Sequence, residues 1–119
     1  MTWIYQQRTG IVEHDGEYIA TGYSGMDEGK NNPDLEHVSS VGPIPRGRYV
    51  ISQPQDTEHR GPCVMRLIPD GEAPYGRSGF EIHGDSIKAP GSASTGCIIL
   101  PRVVREQIGQ GTDNILEVI

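Results

Sequence analysis

The sequence predicts a mainly β protein with many turns and one short helix, and two features of its composition support this. Ile and Val together number 21, against 4 Leu, and β-branched side chains suit the pleated surface of a sheet better than a helix. The 16 Gly and 9 Pro divide the chain into short segments. At 119 residues the chain has the length of one ordinary domain, so we expect residues 1–119 to form a single domain.

Short runs rich in β-branched and aromatic residues, bounded by Gly and Pro, predict the strands. In chain order, we expect strands at Trp3–Arg8, after Gly10, at Glu17–Gly22, Arg48–Gln53, Cys63–Ile68 and Ser78–His83, and in the runs GCIIL and NILEVI. The last of these is expected in the interior of the sheet, because a chain terminus needs to be held in place. The segment GYSG is predicted as a turn, and the polar segment 26–40 as a long loop.

One segment predicts a helix, from about Pro101 to Ile108. Proline suits the first helical position, and Leu100, Val104 and Ile108 are spaced four apart on one helical face. Gly109 suits the C-terminal stop. The sequence therefore predicts an antiparallel-rich sheet or sandwich with one short helix.

The charge distribution excludes several classes of partner. The net charge is −6, and seven acids with one Lys fall between Glu13 and Glu36. No basic stripe is present that would bind nucleic acid or an anionic membrane surface.

The N-terminal segment has neither the charged nor the apolar region of a signal peptide, and no apolar run approaches the length of a membrane span. We therefore expect synthesis in the cytoplasm without a signal peptide, no membrane insertion, and any export by a route that needs no such peptide.

The segment FEIHGDSIKAPGSASTGCIIL contains the candidate catalytic residues. His83 ends one predicted strand and Cys97 begins another, fourteen positions later. A free thiol with a pKa of about 8.5 is mostly protonated at neutral pH, and a neighbouring imidazole can accept its proton. The small residues Ser94, Thr95 and Gly96 let a substrate carbonyl approach the backbone, whose N–H groups can form an oxyanion hole. A cysteine at such a position is also often an inert core residue.

An imidazole acting as a base must be oriented through its second nitrogen. The Gly84 carbonyl is our first candidate for this role, and Asp85 is the second. Ser94 is a further local candidate.

The same motifs resemble a known family. The pattern IHGD…ASTGCI resembles the His…Ser-x-Gly-Cys signature of L,D-transpeptidase catalytic domains, and GPIPRGRYVI resembles the strand that precedes the site in those domains. The blocks W-x-Y…G, GYSG, NNP, GPIPRGRY, RSGFEIHGD and ASTGCI occur in the order found in L,D-transpeptidase-like effectors of type VI secretion. Thr95 and Ile99 stand where housekeeping enzymes commonly have His and Asn, which favours the effector branch.

This resemblance implies a compact L,D-transpeptidase-like β-sandwich or mixed sheet in which Cys97 is the nucleophile and His83 the base. The oxyanion hole would be the backbone around Thr95 and Gly96. The implied function is cysteine-dependent modification of peptidoglycan tetrapeptide stems, as an L,D-carboxypeptidase or L,D-transpeptidase that also exchanges D-amino acids, without a metal or organic cofactor. The resemblance also implies an antibacterial toxin delivered by type VI secretion to the periplasm of target bacteria. A cognate immunity protein could then be a partner.

Four further residues are candidates for substrate binding. Arg77 and Ser78 precede the site strand and could meet a substrate carboxylate, although a surface role fits them equally well. Tyr23 could border the cleft, and Asp85 lies next to the candidate base.

Two alternative functions stay open on the sequence. One is a metal-dependent hydrolase, with ligands drawn from a set that shares suitable donor atoms: His59, Cys63, His83, Asp85 and Cys97. The other is a non-catalytic module that binds the cell wall. The remaining histidines, His14, His37 and His59, are expected to be solvated in loops, and no disulfide is expected between the two cysteines.

Overall fold

Ten short strands and one α-helix make up the computed structural model, which describes residues 2–119. The strands are β1 (Trp3–Tyr5), β2 (Ile11–His14), β3 (Glu17–Thr21), β4 (Tyr23–Ser24), β5 (Gly47–Ile51), β6 (Gln55–Thr57), β7 (Gly61–Pro69), β8 (Phe80–His83), β9 (Ile98–Ile99) and β10 (Ile115–Val118). The helix α1 spans Arg102–Gln110. The prediction of a mainly β fold with one short helix is confirmed.

The strands form one mixed sheet, which is one of the two arrangements expected. Their order is β3-β2-β1-β10-β5-β7-β8-β9-β4, and β6 pairs with β7 beside this path. Neighbours are antiparallel except at β1–β10 and β8–β9, where they are parallel. The C-terminal strand β10 lies between β1 and β5, in the interior of the sheet as predicted.

Two local predictions are wrong. The GYSG segment contains a strand, because Tyr23 and Ser24 pair with Ile99 and Ile98 of β9. A partner strand with a free edge can recruit a segment that has no strand pattern of its own. The second wrong prediction is the end of the helix, which was expected at Gly109 but lies at Gln110. The predicted loop 26–40 contains two 3₁₀ turns, at Asp27–Gly29 and Pro33–Leu35.

Side chains from the strands and from α1 form one buried cluster. Its largest fully buried members are aromatic or aliphatic: Trp3, Tyr5, Tyr49, Ile44, Met65, Ile82, Ile98 and Leu100. Val104 and Ile108 on one face of α1 pack into the same cluster, as their spacing predicts. Full burial of one such aliphatic side chain contributes about 1.5–3 kcal/mol.

The core fixes which side chains of β8 and β9 face away from it. Ile82 and Ile98 are opposite each other in the register and both belong to the core cluster. Because successive side chains of a strand point to opposite faces, His83 and Cys97 lie on the other face.

Candidate active site

The pairing of β8 with β9 brings the two candidate catalytic residues onto one side of the sheet. His83 is opposite Ile99 in the parallel register, and Cys97 comes directly before β9. Continued by one residue, the register places Cys97 opposite Glu81. His83 and Cys97 are therefore diagonal neighbours on the same face.

His83 is buried, and both of its ring nitrogens have partners. Nδ1 lies 2.9 Å from the Gly84 carbonyl oxygen, and Nε2 lies 2.7 Å from Nη1 of Arg60. Because a guanidinium can only donate, Nε2 is the acceptor, and Nδ1 is protonated and donates to Gly84. Burial lowers the pKa of His83; the Arg60 and Arg105 charges act in the same direction, and the hydrogen bond to Gly84 opposes them. Since Nε2 accepts from Arg60, the imidazole in this arrangement is neutral, and the Gly84 carbonyl orients it.

Cys97 is 4% exposed. Burial raises the pKa of the thiol, while the Glu81 backbone amide and the charges of Arg60 and Arg77 oppose the rise. Sγ makes a long hydrogen bond of 4.0 Å to the Gly79 carbonyl. Within the described chain, no hydrogen bond joins Sγ to His83. Proton transfer between the two therefore requires Nε2 of His83 to be released from its present partner.

The turn before Cys97 is built around a buried hydroxyl. Oγ of Ser94 accepts from the backbone amides of Gly25 (2.9 Å) and Gly96 (3.1 Å) and donates to the Cys97 carbonyl (2.6 Å). Gly96 has φ of +138°, and a Cβ at this position would meet Nη2 of Arg77 at 2.6 Å. Only glycine fits here without strain. Because Ser94 already occupies the Gly96 amide, the neighbouring Cys97 amide is the candidate donor for an oxyanion.

Arg77 supports this turn from behind and does not line the cleft. Its Nη1 donates to the carbonyls of Glu36 (2.6 Å) and Pro43 (2.8 Å), and its Nη2 approaches the carbonyl of the exposed Thr95 at 3.5 Å. The guanidinium of Arg77 is buried against backbone oxygens, which does not favour the predicted contact with a substrate carboxylate. Ser78 is exposed but also lies outside the cleft lining.

A cleft of about 990 Å³ opens beside the candidate site. His83, Gly84, Asp85 and Tyr23 line it, but the buried Cys97 does not. The candidate base therefore faces the cleft, while the sulfur lies beneath its surface.

Asp85 and Tyr23 close the loop that follows His83. The Tyr23 hydroxyl donates to Asp85 over 2.6 Å, and the amides of Ser86 and Gly91 donate to the same carboxylate. Burial, followed by the bond to Asp85, raises the pKa of Tyr23 to about 12. Burial would raise the pKa of Asp85, but these hydrogen bonds outweigh it and the pKa is lowered. Asp85 thus orders the loop, and Gly84 is the group that orients His83.

Two residues of the site have no counterpart among the predicted ones. Arg60, in the turn between β6 and β7, contacts His83 and also pairs through Nε with Glu81 Oε1 at 3.1 Å. Strand alternation places Glu81 on the face of His83, so the pattern FEIH contained a signal for it. Nothing in the sequence around Arg60 indicated that this turn would lie over β8.

His37 and His59 are exposed and lie outside the strands and the helix, as expected, whereas His14 does not. His59 lines the cleft. His14 lies in β2, stacks on Trp3 with ring centroids 3.9 Å apart, and contacts Asp113 at 2.7 Å.

The metal-site alternative receives no support from the geometry. No three of its five candidate ligands come together as a cluster among the described residues. Over residues 2–119, the one group of three potential ligands within reach of each other is His14, Asp15 and Asp113, a different set. Cys63 is half-buried, and both thiols are free. Over the same residues, no helix combines the length and apolarity needed to cross a bilayer.

Comparison with known families agrees with the sequence blocks and the fold. A family model described as the Tlde1 domain matches residues 18–115. A search of curated proteins gave no match. The matched region runs from β3 into β10 and includes His83 and Cys97. The chain therefore belongs to the Tlde1 domain family, which comprises type VI secretion effectors with L,D-transpeptidase-like, peptidoglycan-modifying activity.

Proposed function

We propose that this chain is a cysteine-dependent L,D-carboxypeptidase acting on peptidoglycan tetrapeptide stems, which also exchanges D-amino acids. The observation that supports this most is the placement of His83 and Cys97 on one face of the paired strands β8 and β9, with the imidazole oriented by Gly84. A thiol and an oriented imidazole on neighbouring strands are the groups required for acyl transfer through a thioester.

The reaction starts with proton transfer from Sγ of Cys97 to Nε2 of His83. Sulfur attacks the carbonyl between the L-centre of the diamino acid and the terminal D-alanine, and the carbonyl oxygen accepts a hydrogen bond from the Cys97 amide. The C–N bond then breaks, and the proton on Nε2 moves to the departing amine. The products of this half-reaction are a thioester and free D-alanine.

The acceptor decides the second half-reaction. Water attacks the thioester, loses a proton to Nε2 of His83, and releases a tripeptide as the S–C bond breaks and the thiol regains its proton. A D-amino acid attacking in the same way gives an exchanged stem, and the amine of a second stem gives a cross-link.

Purified tetrapeptide stems test this proposal. Under reducing conditions, mass analysis of the incubated peptide should show loss of one alanine with the wild-type protein. Cys97→Ala and His83→Ala should reduce the rate by about a thousand-fold or more, because each removes a member of one catalytic unit. Cys63→Ser, which changes the other free thiol, is the matched control and should retain activity. Unchanged stems with folded wild-type protein would contradict the proposal.

We further propose that the protein is delivered by type VI secretion to the periplasm of a target cell, where a cognate immunity protein would block it. Expression directed to the periplasm should then be toxic, and cytoplasmic expression should not. If catalysis causes the toxicity, Cys97→Ala protein in the periplasm should not be toxic. If binding to the wall were sufficient, as in the wall-binding alternative, the same variant would remain toxic.

A further inference from the structure

The cleft next to His83 is cationic in a protein whose net charge is −6. Four of its lining residues, Arg60, Lys88, Arg102 and Arg105, are basic, and Asp85 is its acidic residue. The Asp85 carboxylate is already bound by a hydroxyl and two amides. A cleft of this composition attracts anionic groups.

Arg60 is the basic residue that touches the candidate base. The other two arginines are engaged elsewhere: Arg105 donates to the Leu100 carbonyl over 3.1 Å, and Arg102 pairs with Glu106 at 3.2 Å. Arg60 has 38% of its side chain exposed, and the contacts of its guanidinium are with His83 and Glu81.

In this arrangement Arg60 blocks the chemistry that the site would perform. Its Nη1 donates to Nε2 of His83, which is the nitrogen that must accept the thiol proton. The other nitrogen, Nδ1, is committed to Gly84. His83 therefore cannot act as a base until Arg60 leaves Nε2.

The proposed reaction places a carboxylate where it can draw Arg60 away. Nε2 of His83 returns its proton to the departing amine, and one carbon atom separates that amine from the carboxylate of the leaving amino acid. A group next to Nε2 is therefore also next to this carboxylate. Guanidinium binds a carboxylate through two parallel, charge-assisted hydrogen bonds, which are stronger than one bond to a neutral imidazole.

We propose that Arg60 binds the C-terminal carboxylate of the peptide substrate, and that by changing partner it frees His83 to act as the base. This inference rests on the proposed function. Glu81, which holds Nε of Arg60, serves as the pivot of the movement. A D-amino acid acceptor enters where the leaving residue departs, so Arg60 binds its carboxylate as well. Arg60 is thus a specificity-determining residue that couples substrate recognition to activation.

Two peptides that differ at one group test the inference. One is the tetrapeptide with a free terminal carboxylate, and the other is the same peptide ending in a carboxamide. Wild-type protein should prefer the carboxylate by about a hundred-fold in kcat/KM, and Arg60→Ala should reduce this preference to a few-fold. Arg60→Lys should retain part of it. Arg48→Ala, which removes an exposed arginine paired with Asp70, should keep the wild-type ratio.

A second measurement reports on His83 without turnover. In Cys97→Ala protein, the ¹⁵N resonance of Nε2 should change when the carboxylate peptide is added, because its hydrogen-bond donor leaves. The carboxamide peptide at the same concentration should produce little change.

The outcomes separate this inference from the function on which it rests. Equal turnover of both peptides by wild-type protein, or an unchanged preference in Arg60→Ala, overturns the role of Arg60 and leaves the peptidase activity standing. An Nε2 resonance that stays constant at saturating carboxylate peptide also overturns it. Wild-type protein that turns over neither peptide removes both proposals.

Discussion

Glu36 should stabilise the fold through its charge, and the effect should depend on pH in a defined window. This 6% exposed carboxylate accepts hydrogen bonds from Gln7, from Tyr75, and from both the backbone and the guanidinium of Arg46. Burial would raise the pKa of Glu36, but the hydrogen bonds from Arg46 and its other partners outweigh it and lower the pKa from 4.5 to about 2. The folded state therefore stabilises the ionised carboxylate of Glu36 more than the unfolded state does.

The magnitude follows from the difference between these two pKa values. At about 1.36 kcal/mol for each pH unit, the difference corresponds to about 3 kcal/mol. Arg46 is half-exposed, so solvent screening reduces this to about 2 kcal/mol. Because the folded pKa is depressed, the contribution is fully present above pH 4.5 and is lost as the pH falls from 4.5 toward 2.

Glu36→Gln removes this contribution, and urea denaturation at several pH values measures it. At pH 6 the free energy of unfolding of the variant should be about 2 kcal/mol or more below that of wild type. The loss includes the effect of the Gln amide N–H groups, which would face partners that are themselves hydrogen-bond donors. The difference in free energy of unfolding between wild type and Glu36→Gln should become more than 1 kcal/mol smaller by pH 3. Glu106→Gln, at an exposed helical ion pair with Arg102, should change the free energy of unfolding by less than about 0.5 kcal/mol. A gap between wild type and Glu36→Gln that stays constant from pH 6 to pH 3 would refute the reasoning.

Three further predictions concern the turn that presents the candidate nucleophile. Ser94→Ala leaves three buried backbone groups without their partner, so we expect the free energy of unfolding to fall by about 2–4 kcal/mol in urea titrations; a loss below about 1 kcal/mol would contradict this. Gly96→Ala combines a strained φ with a clash against Arg77 and should cost about 2 kcal/mol or more by the same measurement, whereas a neutral effect would mean that the turn relaxes easily. In native protein treated with iodoacetamide, peptide mapping should find Cys63 modified before Cys97, because the former is half-buried and the latter is buried; the reverse order would show that the sulfur is more accessible than the structure indicates.

Much of the fold was predictable because strand and helix patterns are local. The spacing of Val104 and Ile108 identified the buried face of α1, and the β-branched runs located most strands. Strand β4 was missed because Tyr23 and Ser24 have no alternating pattern and become a strand only through pairing with β9. The same limit applies wherever a partner distant in sequence decides the local conformation.

The sequence by itself determined the chemistry available to this protein: a histidine at a strand end before glycine, and a cysteine after a turn of small residues. It also indicated Gly84 as the group that orients the ring. Only the tertiary structure decided what surrounds those groups. Arg77 became a buried support of the turn, and Arg60, 23 residues before His83, became the partner of its second nitrogen. The physical reason is that local patterns specify which face a side chain takes, whereas contacts between a turn and a strand depend on sheet pairings made over long separations.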